Sequence, residues 1–486
     1  MKVTKDMLTE KQKECVDFAS HRDLIVQGVA GSGKSLVIIN RALQIYEKTK
    51  AKGKRAKIAV FTFANSLVEY THEVLEQGGA EAVRDIKVST LDSEILSLYK
   101  KIIGHSTYGV YNNYTRELND VVSELEKQYP GTRFFKKEKR EFLMDEIKWM
   151  KQHLMKSFSD YESCVRKGRG ATRVTKDDRR IIYDVYENFY EKLRLKNART
   201  FDVVAEELAK KVIPEYCQYD FVLVDEAQDL TLSKMIIAKS LARVSITVSA
   251  DFAQKIYKTG FTWKEAGIEI RGQASKKLQG THRNTRQIAA LANSLTEANT
   301  EIKRYDADDF TIPELPKREG PLPQLIYESS HRQEQEDIIT LIKEIRSNKP
   351  DSTIALLGRD KTYISKIQAW LNTASIPYQL IEKNNEYKVL EPGVKVVKYH
   401  SSKGLEFNYV IMPFVDDGIF PYTKYAAGDD DDSIEDLMNE ARSLMYVGMT
   451  RARDMLYMFA VDGGDGNPSP LIEDLDETLM EVKRFT

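Results

Sequence analysis

The chain is poor in cysteine and histidine: its 486 residues include 3 Cys and 7 His. Cys15, Cys164 and Cys217 lie far apart and the histidines are scattered, so neither a disulfide framework nor metal-ligand spacing is present. Long apolar runs are lacking too. Nothing approaches the roughly 18–20 residues that a bilayer span requires, which argues against a membrane protein. Residues 1–12 carry no apolar stretch of signal-peptide type. A surplus of either charge is also absent, with 73 Lys+Arg against 74 Asp+Glu and a net charge of −1. That balance argues against a protein that coats nucleic acid by bulk positive charge. The expectation is a soluble, cytoplasmic chain whose 42% apolar content can build sizeable cores. At roughly 150 residues per domain, about three domains fit.

Locally the charge is uneven. Residues 131–180 hold 15 Lys/Arg against 8 Asp/Glu, while 429–440 hold seven acids and no base. The basic stretch also carries Phe134, Phe135, Trp149, Phe158 and Tyr161. Basic and aromatic residues together can follow a phosphate backbone and stack on bases, or simply build an amphipathic helical domain. Short apolar runs at 24–27, 58–63, 221–224, 245–249, 353–357, 394–398 and 409–413 read as buried strands. Helical spacing over 36–48, 66–77, 334–346 and 362–372 alternates with them, which points to parallel α/β sheets. The block from about 95 to 200 reads as helical, and the proline-rich stretch 313–323 as a linker or loop.

Residues 28–35, GVAGSGKS, satisfy G-x-x-x-x-G-K-[ST] between an apolar strand and a helical run. Gly28, Ala30, Gly31, Ser32 and Gly33 form a loop whose N–H groups can turn onto phosphate oxygens. Lys34 reaches phosphate, and the Ser35 hydroxyl is placed to ligate Mg²⁺. The apolar run 221–224 ends in DEAQD, where Asp225 can share the Mg²⁺ and Glu226 can polarise an attacking water. The two elements together describe an NTPase site with Mg²⁺.

Five further segments extend the pattern: LTEKQ at 8–12, ADFAQKIY at 250–257, THRNT at 281–285, HSSKGLEF at 400–407 and EARSLMYVGMTRAR at 440–453. In this order the chain resembles the superfamily 1 helicases of the UvrD/Rep type. The resemblance implies two tandem RecA-like P-loop domains with parallel sheets, plus a helical 1B-type insertion in the first. Motor domain 1A then spans 1–94 and 201–275, the insertion 95–200, and motor domain 2A 276–486. It further implies Gln12 as adenine reader, Gln254 as γ-phosphate sensor, Arg283 and Arg451 as γ-phosphate arginines, and Glu406 near the nucleotide sugar. Arginine suits such sites because it supplies two directed N–H bonds where lysine is a point charge. Nucleic-acid contacts fall on Phe63, Asn65, Tyr257, Phe261, Trp263 and His400.

The chain departs from the family in places. His282 stands where a tyrosine usually stacks on adenine, and Phe261 or Trp263 replaces an aromatic-Arg-Gly platform in a shifted register. Between Tyr378 and His400 only 21 residues remain, too few for the helical 2B insertion of UvrD/Rep relatives, and the 33 residues after Arg453 are too few for a nuclease domain. The implied activity is ATP-dependent 3′→5′ translocation on single-stranded DNA, with RNA left open. Opening of forked DNA would depend on a protein partner in the missing 2B role or on a self-assembled oligomer. A second reading stays open: a helicase-like ATPase switch that remodels a protein or nucleoprotein partner in defence or transcription.

Overall fold

The computed structural model describes residues 8–29, 31–63, 65–78, 84–104, 110, 114–164, 166, 172–250, 261–268, 274–278, 280, 283–300, 314–382, 387–421, 431–464 and 466–484. The first sheet unit opens with α1 (Glu10–Asp17), β1 (Leu24–Gly28), α2 (Lys34–Ala51), β2 (Ile58–Thr62), α3 (Asn65–Gly78) and β3 (Ile86–Thr90). It resumes after a helical block with β4 (Tyr219–Val224), β5 (Ala242–Ala250) and β6 (Ser275–Leu278). The strand order is β3-β2-β4-β5-β1-β6 and every pairing is parallel. Helices cover both faces of such a sheet, which is why β1, β2 and β4 read as unbroken apolar runs rather than alternating ones. Thr9 caps α1 through a reciprocal capping box with Gln12, which fixes where the helix begins.

The block between β3 and β4 is helical: α4 (Leu91–Ile102), α5 (Thr115–Leu125), α6 (Arg140–Gln152), α7 (Phe158–Ser163), α8 (Lys176–Leu195) and α9 (Phe201–Ala209). Helices α4 and α9 pack into the core of the first sheet, whereas α5 to α8 close around a core of their own. That second core contains Phe134, Phe135, Trp149 and Tyr161, with Phe158 half-buried against Tyr183. The aromatic residues of the basic stretch therefore face inward and do not form a base-stacking track. Full burial of a phenylalanine such as Phe134 or Phe135 is worth roughly 1.5–3 kcal/mol. Several of its cations are also committed internally: Arg166 forms a fork with the fully buried Glu146 at 2.7 and 3.0 Å, and Arg179 Nη1 donates to the carbonyls of Tyr161, Glu162 and Cys164.

Helix α10 (Leu232–Leu241) joins β4 to β5, and after β6 the chain enters the second unit through α11 (Arg286–Ala298). There follow β7 (Gln324–Glu328), α12 (His331–Asn348), β8 (Thr353–Gly358), α13 (Lys361–Thr373), β9 (Tyr378–Ile381), β10 (Gly393–Lys398), β11 (Phe407–Met412), α14 (Asp431–Met449), β12 (Ala452–Val461) and β13 (Glu481–Arg484). These strands form a second all-parallel sheet, ordered β13-β7-β12-β11-β8-β10-β9. Strands β9 and β10 are direct neighbours joined by residues 382–392. Among the described residues, no helix is long and apolar enough to cross a membrane.

A buried acidic cluster lies at the β7–α12 junction. Glu328, Glu334 and Asp416 are each at most 2% exposed, and His331 bonds Glu334 at 2.9 Å. Burial, reinforced by Asp337 and Glu334, raises the Glu328 carboxyl to about 7. A carboxyl raised this way takes up a proton on folding, so its contribution is complete below pH about 4.5 and is lost as pH rises through about 7. Glu328→Gln is therefore expected to raise the melting temperature by about 2–5 °C at pH 8 and to leave it unchanged at pH 4.5. Equal shifts at both pH values, read by calorimetry, would refute this.

Candidate nucleotide and nucleic-acid site

The loop after β1 folds back on itself. Lys34 Nζ donates to Gly28 O at 3.0 Å and to Val29 O at 2.9 Å, and the Ser32 hydroxyl is buried with no hydrogen-bond partner among the described residues. Gly33 sits at φ +80, where a Cβ would lie 2.4 Å from Gln12 Nε2, so both the backbone and the space demand glycine. Helix α2 then opens at Lys34 without a side-chain cap, leaving its first N–H groups directed at the loop. Gln12 is 3% exposed; its Oε1 accepts from Thr9 N at 2.9 Å and its Nε2 donates to Ser32 O at 2.8 Å. Its amide thus ties α1 to the loop.

Asp225 and Glu226 follow β4, and both are buried. Asp225 Oδ1 accepts from Glu226 N at 3.1 Å and from the Ser249 hydroxyl, and the Ser35 hydroxyl bonds the same carboxyl. Burial and then the adjacent Glu226 charge raise its pKa. A hydroxyl and a carboxylate side by side, facing an anion-binding loop, form the hard oxygen set that suits Mg²⁺. Glu226 adopts φ 55, ψ 41, a left-handed conformation uncommon for a residue with a Cβ and frequent at functional sites. Burial alone would push its carboxyl up. Lys403, Lys34 and Arg451 outweigh that and hold it below the ordinary glutamate value, helped by Gln228 Nε2 at 2.5 Å from Glu226 Oε2.

Lys403 comes from the second unit, in the turn after β10. Its Nζ bonds Asp229 Oδ2 and lies 3.8 Å from Glu226 Oε2, with the lysine side chain 2% exposed. The same turn touches the first unit twice more: Ser401 O accepts from Ser66 Oγ at 2.7 Å, and a Cβ on Gly404 (φ +80) would strike Leu67 at 2.7 Å. His400, in this turn, is pushed down to about 4 by burial and then by the Arg359, Lys403 and Lys398 charges, which disfavour the imidazolium form. Asn65 is exposed at the start of α3 and Phe63 half-buried just before it, next to Ser66 and so to the His400 turn. Phe261 and Trp263 are half-buried on the first core and meet edge to face at 5.7 Å.

Arg283 and Arg451 are occupied by internal partners. Arg283 Nε lies 2.8 Å from Glu406 Oε1. Burial would raise the Glu406 carboxyl, but Arg283 first and then Arg453 and Arg451 hold it down. Arg451 is fully buried; it donates to Val447 O at 2.9 Å, Leu405 O at 3.3 Å and Thr450 Oγ1 at 3.1 Å. Ala30, Gln254, Tyr257 and His282 lie outside the described residues.

Sequence reasoning passed over three residues that hold this site. Lys403 was read only as part of a motif, and Asn284 only as a neighbour of Arg283. Arg41, fully buried on α2, donates to Cys15 O, Val16 O, Phe18 O, Ala19 O and Thr247 Oγ1, closing the end of the helix that carries Gln12. Its one signal is an arginine within the apolar run Val37–Ile45, written here as VIINRALQI.

The UvrD/REP helicase N-terminal domain matches residues 8–279, and the UvrD-like helicase C-terminal domain matches 277–392 and 383–463. A probable DNA helicase II homolog of Mycoplasma capricolum is 25% identical over 428 residues, covering 82% of this chain and 55% of that protein. The ATP-dependent DNA helicase Rep of Salmonella typhimurium is 25% identical over 316 residues, covering 61% and 44%. The PcrA helicase of Staphylococcus aureus is 31% identical over 98 residues, covering 19% and 13%. The chain spans about half the length of the first two relatives. With the N-terminal domain match alone extending over more than half of its length, the chain belongs to the UvrD/Rep helicase family.

Proposed function

We propose that the chain is an ATP-driven motor that translocates 3′→5′ along single-stranded DNA and opens duplex with a partner in the role of the missing 2B domain. Residues 1–94 and 201–275 serve as one motor unit, 95–200 as the insertion and 276–486 as the other motor unit. Gln12 and His282 receive the base, Glu406 the sugar, and the loop from Gly28 to Ser35, with Ala30, Gly31, Ser32 and Gly33, receives the phosphates. Ser35 and Asp225 hold Mg²⁺, which supplies positive charge to the phosphate oxygens when bound. Glu226 polarises the attacking water, and Gln254, Arg283 and Arg451 meet the charge that develops on the γ-phosphoryl group. Phe63, Asn65, Tyr257, Phe261, Trp263 and His400 receive the strand.

The observation that carries this reading is Lys403. One turn of the second unit holds both the carboxylates beside the P-loop, through Lys403, and the strand candidate His400. A displacement of that turn by a bound strand reaches the water-polarising carboxylate directly. Before hydrolysis, Arg283 must exchange Glu406 for phosphate, and Arg451 must leave the carbonyls of Val447 and Leu405. Closure of the cleft supplies that exchange.

The test is ATP turnover alone and with single-stranded DNA, RNA or duplex. Single-stranded DNA is expected to stimulate by about tenfold or more, because completing arginine contacts is worth orders of magnitude. Hydrolysis indifferent to all three would sink the motor reading, and fork opening by isolated monomers would remove the need for a partner.

A further inference from the structure

The next inference rests on the reading of Arg283 and Arg451 as the γ-phosphate arginines, and concerns how the chain holds them relative to each other. Asn284 is 1% exposed, and its Nδ2 donates to Thr450 O at 3.1 Å and to Ala452 O at 2.5 Å. Those carbonyls stand on either side of Arg451. The residue next to one arginine thus grips the carbonyls of both residues flanking the other, across 166 and 168 residues of sequence. Only a primary amide at this position brings two N–H donors on one short, uncharged stem.

A second grip lies on the outer side. Arg318 Nη1 donates to Arg453 O at 3.0 Å and to Arg283 O at 3.4 Å, and its Nη2 bonds Asp454. Its own carbonyl accepts from Arg286 N at 2.7 Å, and Gly320 N donates to Gln287 Oε1 at 2.9 Å. The stretch around Arg318 reads from sequence as a linker or loop. In the fold it is fastened to the start of α11 and to the turn before β12.

We propose that Asn284 and Arg318 are positioning residues that lock the Arg283 turn and the Arg451 turn into one body, so that both guanidiniums enter the cleft in a fixed relative geometry. Each acts through the backbone of the arginine turns, Asn284 on Thr450 O and Ala452 O and Arg318 on Arg283 O and Arg453 O. The gain is precision: a misplacement of about 1 Å in a reacting constellation costs roughly 10²-fold in rate. Two independent loops would each have to be ordered at every turnover, whereas a joined pair is ordered once, by folding.

The experiment compares wild type with Asn284→Ala, Asn284→Asp, Arg318→Ala and each combined with Arg451→Ala. It reads kcat, KM for ATP, affinity for a non-hydrolysable ATP analogue, and melting temperature. Asn284→Ala is expected to lower kcat about 30- to 100-fold and Arg318→Ala about fivefold, with KM and analogue affinity within about twofold of wild type. Asn284→Asp, which sets a carboxylate against two carbonyl oxygens, is expected to lose more. On the Arg451→Ala background both alanine variants should cost little further. A purely structural role would instead lower the melting temperature and analogue affinity together and multiply with Arg451→Ala, and that result overturns the inference. Arg318 is exposed enough that its variant keeps the test alive if Asn284 variants fold poorly. A wild-type chain without turnover strikes the reading of the site itself. Turnover in wild type with unaltered kcat in Asn284→Ala and Arg318→Ala strikes only this inference.

Discussion

Glu226→Gln is expected to bind ATP with near wild-type affinity and to hydrolyse it about 10²–10⁴-fold more slowly, the range a general base contributes. The side chain is 4% exposed, so its environment, not bulk water, sets its charge. Three cations act on that carboxyl, Lys403, Lys34 and Arg451, and keep it ionised despite burial. Glutamine preserves shape and can keep a hydrogen bond with Gln228, but it cannot take a proton from water. In the proposed site the phosphates meet the loop and Lys34, whose Nζ bonds Gly28 O and Val29 O and which the substitution does not touch. Single-turnover hydrolysis with equilibrium binding of ATP separates the two effects. Near-normal hydrolysis would move the role of base elsewhere, with Asp229, the other carboxylate on Lys403, the first to examine.

Lys403→Met is expected to have a comparably large effect on a different quantity. The lysine is 2% exposed, and the Asp229 and Glu226 carboxylates are 0% and 5% exposed. Removing the cation leaves two buried carboxylates without their shared counter-charge, a loss of about 3–5 kcal/mol for a buried pair broken on one side. Because the pair bridges the two sheet units, the loss falls on their apposition before it reaches either core. Calorimetry is expected to show two thermal transitions where the wild type shows one. ATP turnover should fall about 100-fold with the misplacement of Glu226. Lys403→Arg, which keeps the charge on a bulkier group, should recover part of both. A single transition at the wild-type temperature in Lys403→Met would show that the contact carries no free energy.

Much of the scaffold was legible because parallel strands buried on both faces leave short runs rich in apolar and β-branched residues: β1, β2, β4, β5, β8, β10 and β11 all announce themselves this way. Strands β3, β6, β7, β9 and β13 did not. They are only partly buried, and β6 (SKKL) and β13 (EVKR) carry the lysines that edge positions favour. Strand β12 was hidden by its position directly after the last motif. The P-loop and DEAQD were readable because contiguous residues make them. The partners of Arg41, Lys403 and Asn284 lie far away in the chain, so no local pattern could point to them. The aromatics of the basic stretch left a stacking track and an amphipathic helical domain both open for a related reason: composition does not say which face of a helix they occupy, and the fold supports the second.

The strand order also sets a timetable for synthesis. β1, which leads into the P-loop, lies between β5 and β6, yet β5 begins only at Ala242 and β6 at Ser275. At translation rates of about 5–20 residues per second, Leu24–Gly28 leaves the ribosome roughly 10–45 s before a sheet partner exists. β2 and β3 can pair with each other in that interval, since they are neighbours and close in sequence. The helical block, with its own core, can also settle before β4 emerges. The apolar strand beneath the phosphate loop is thus the last part of the first sheet to be enclosed, and the nascent chain must keep it from aggregating until then.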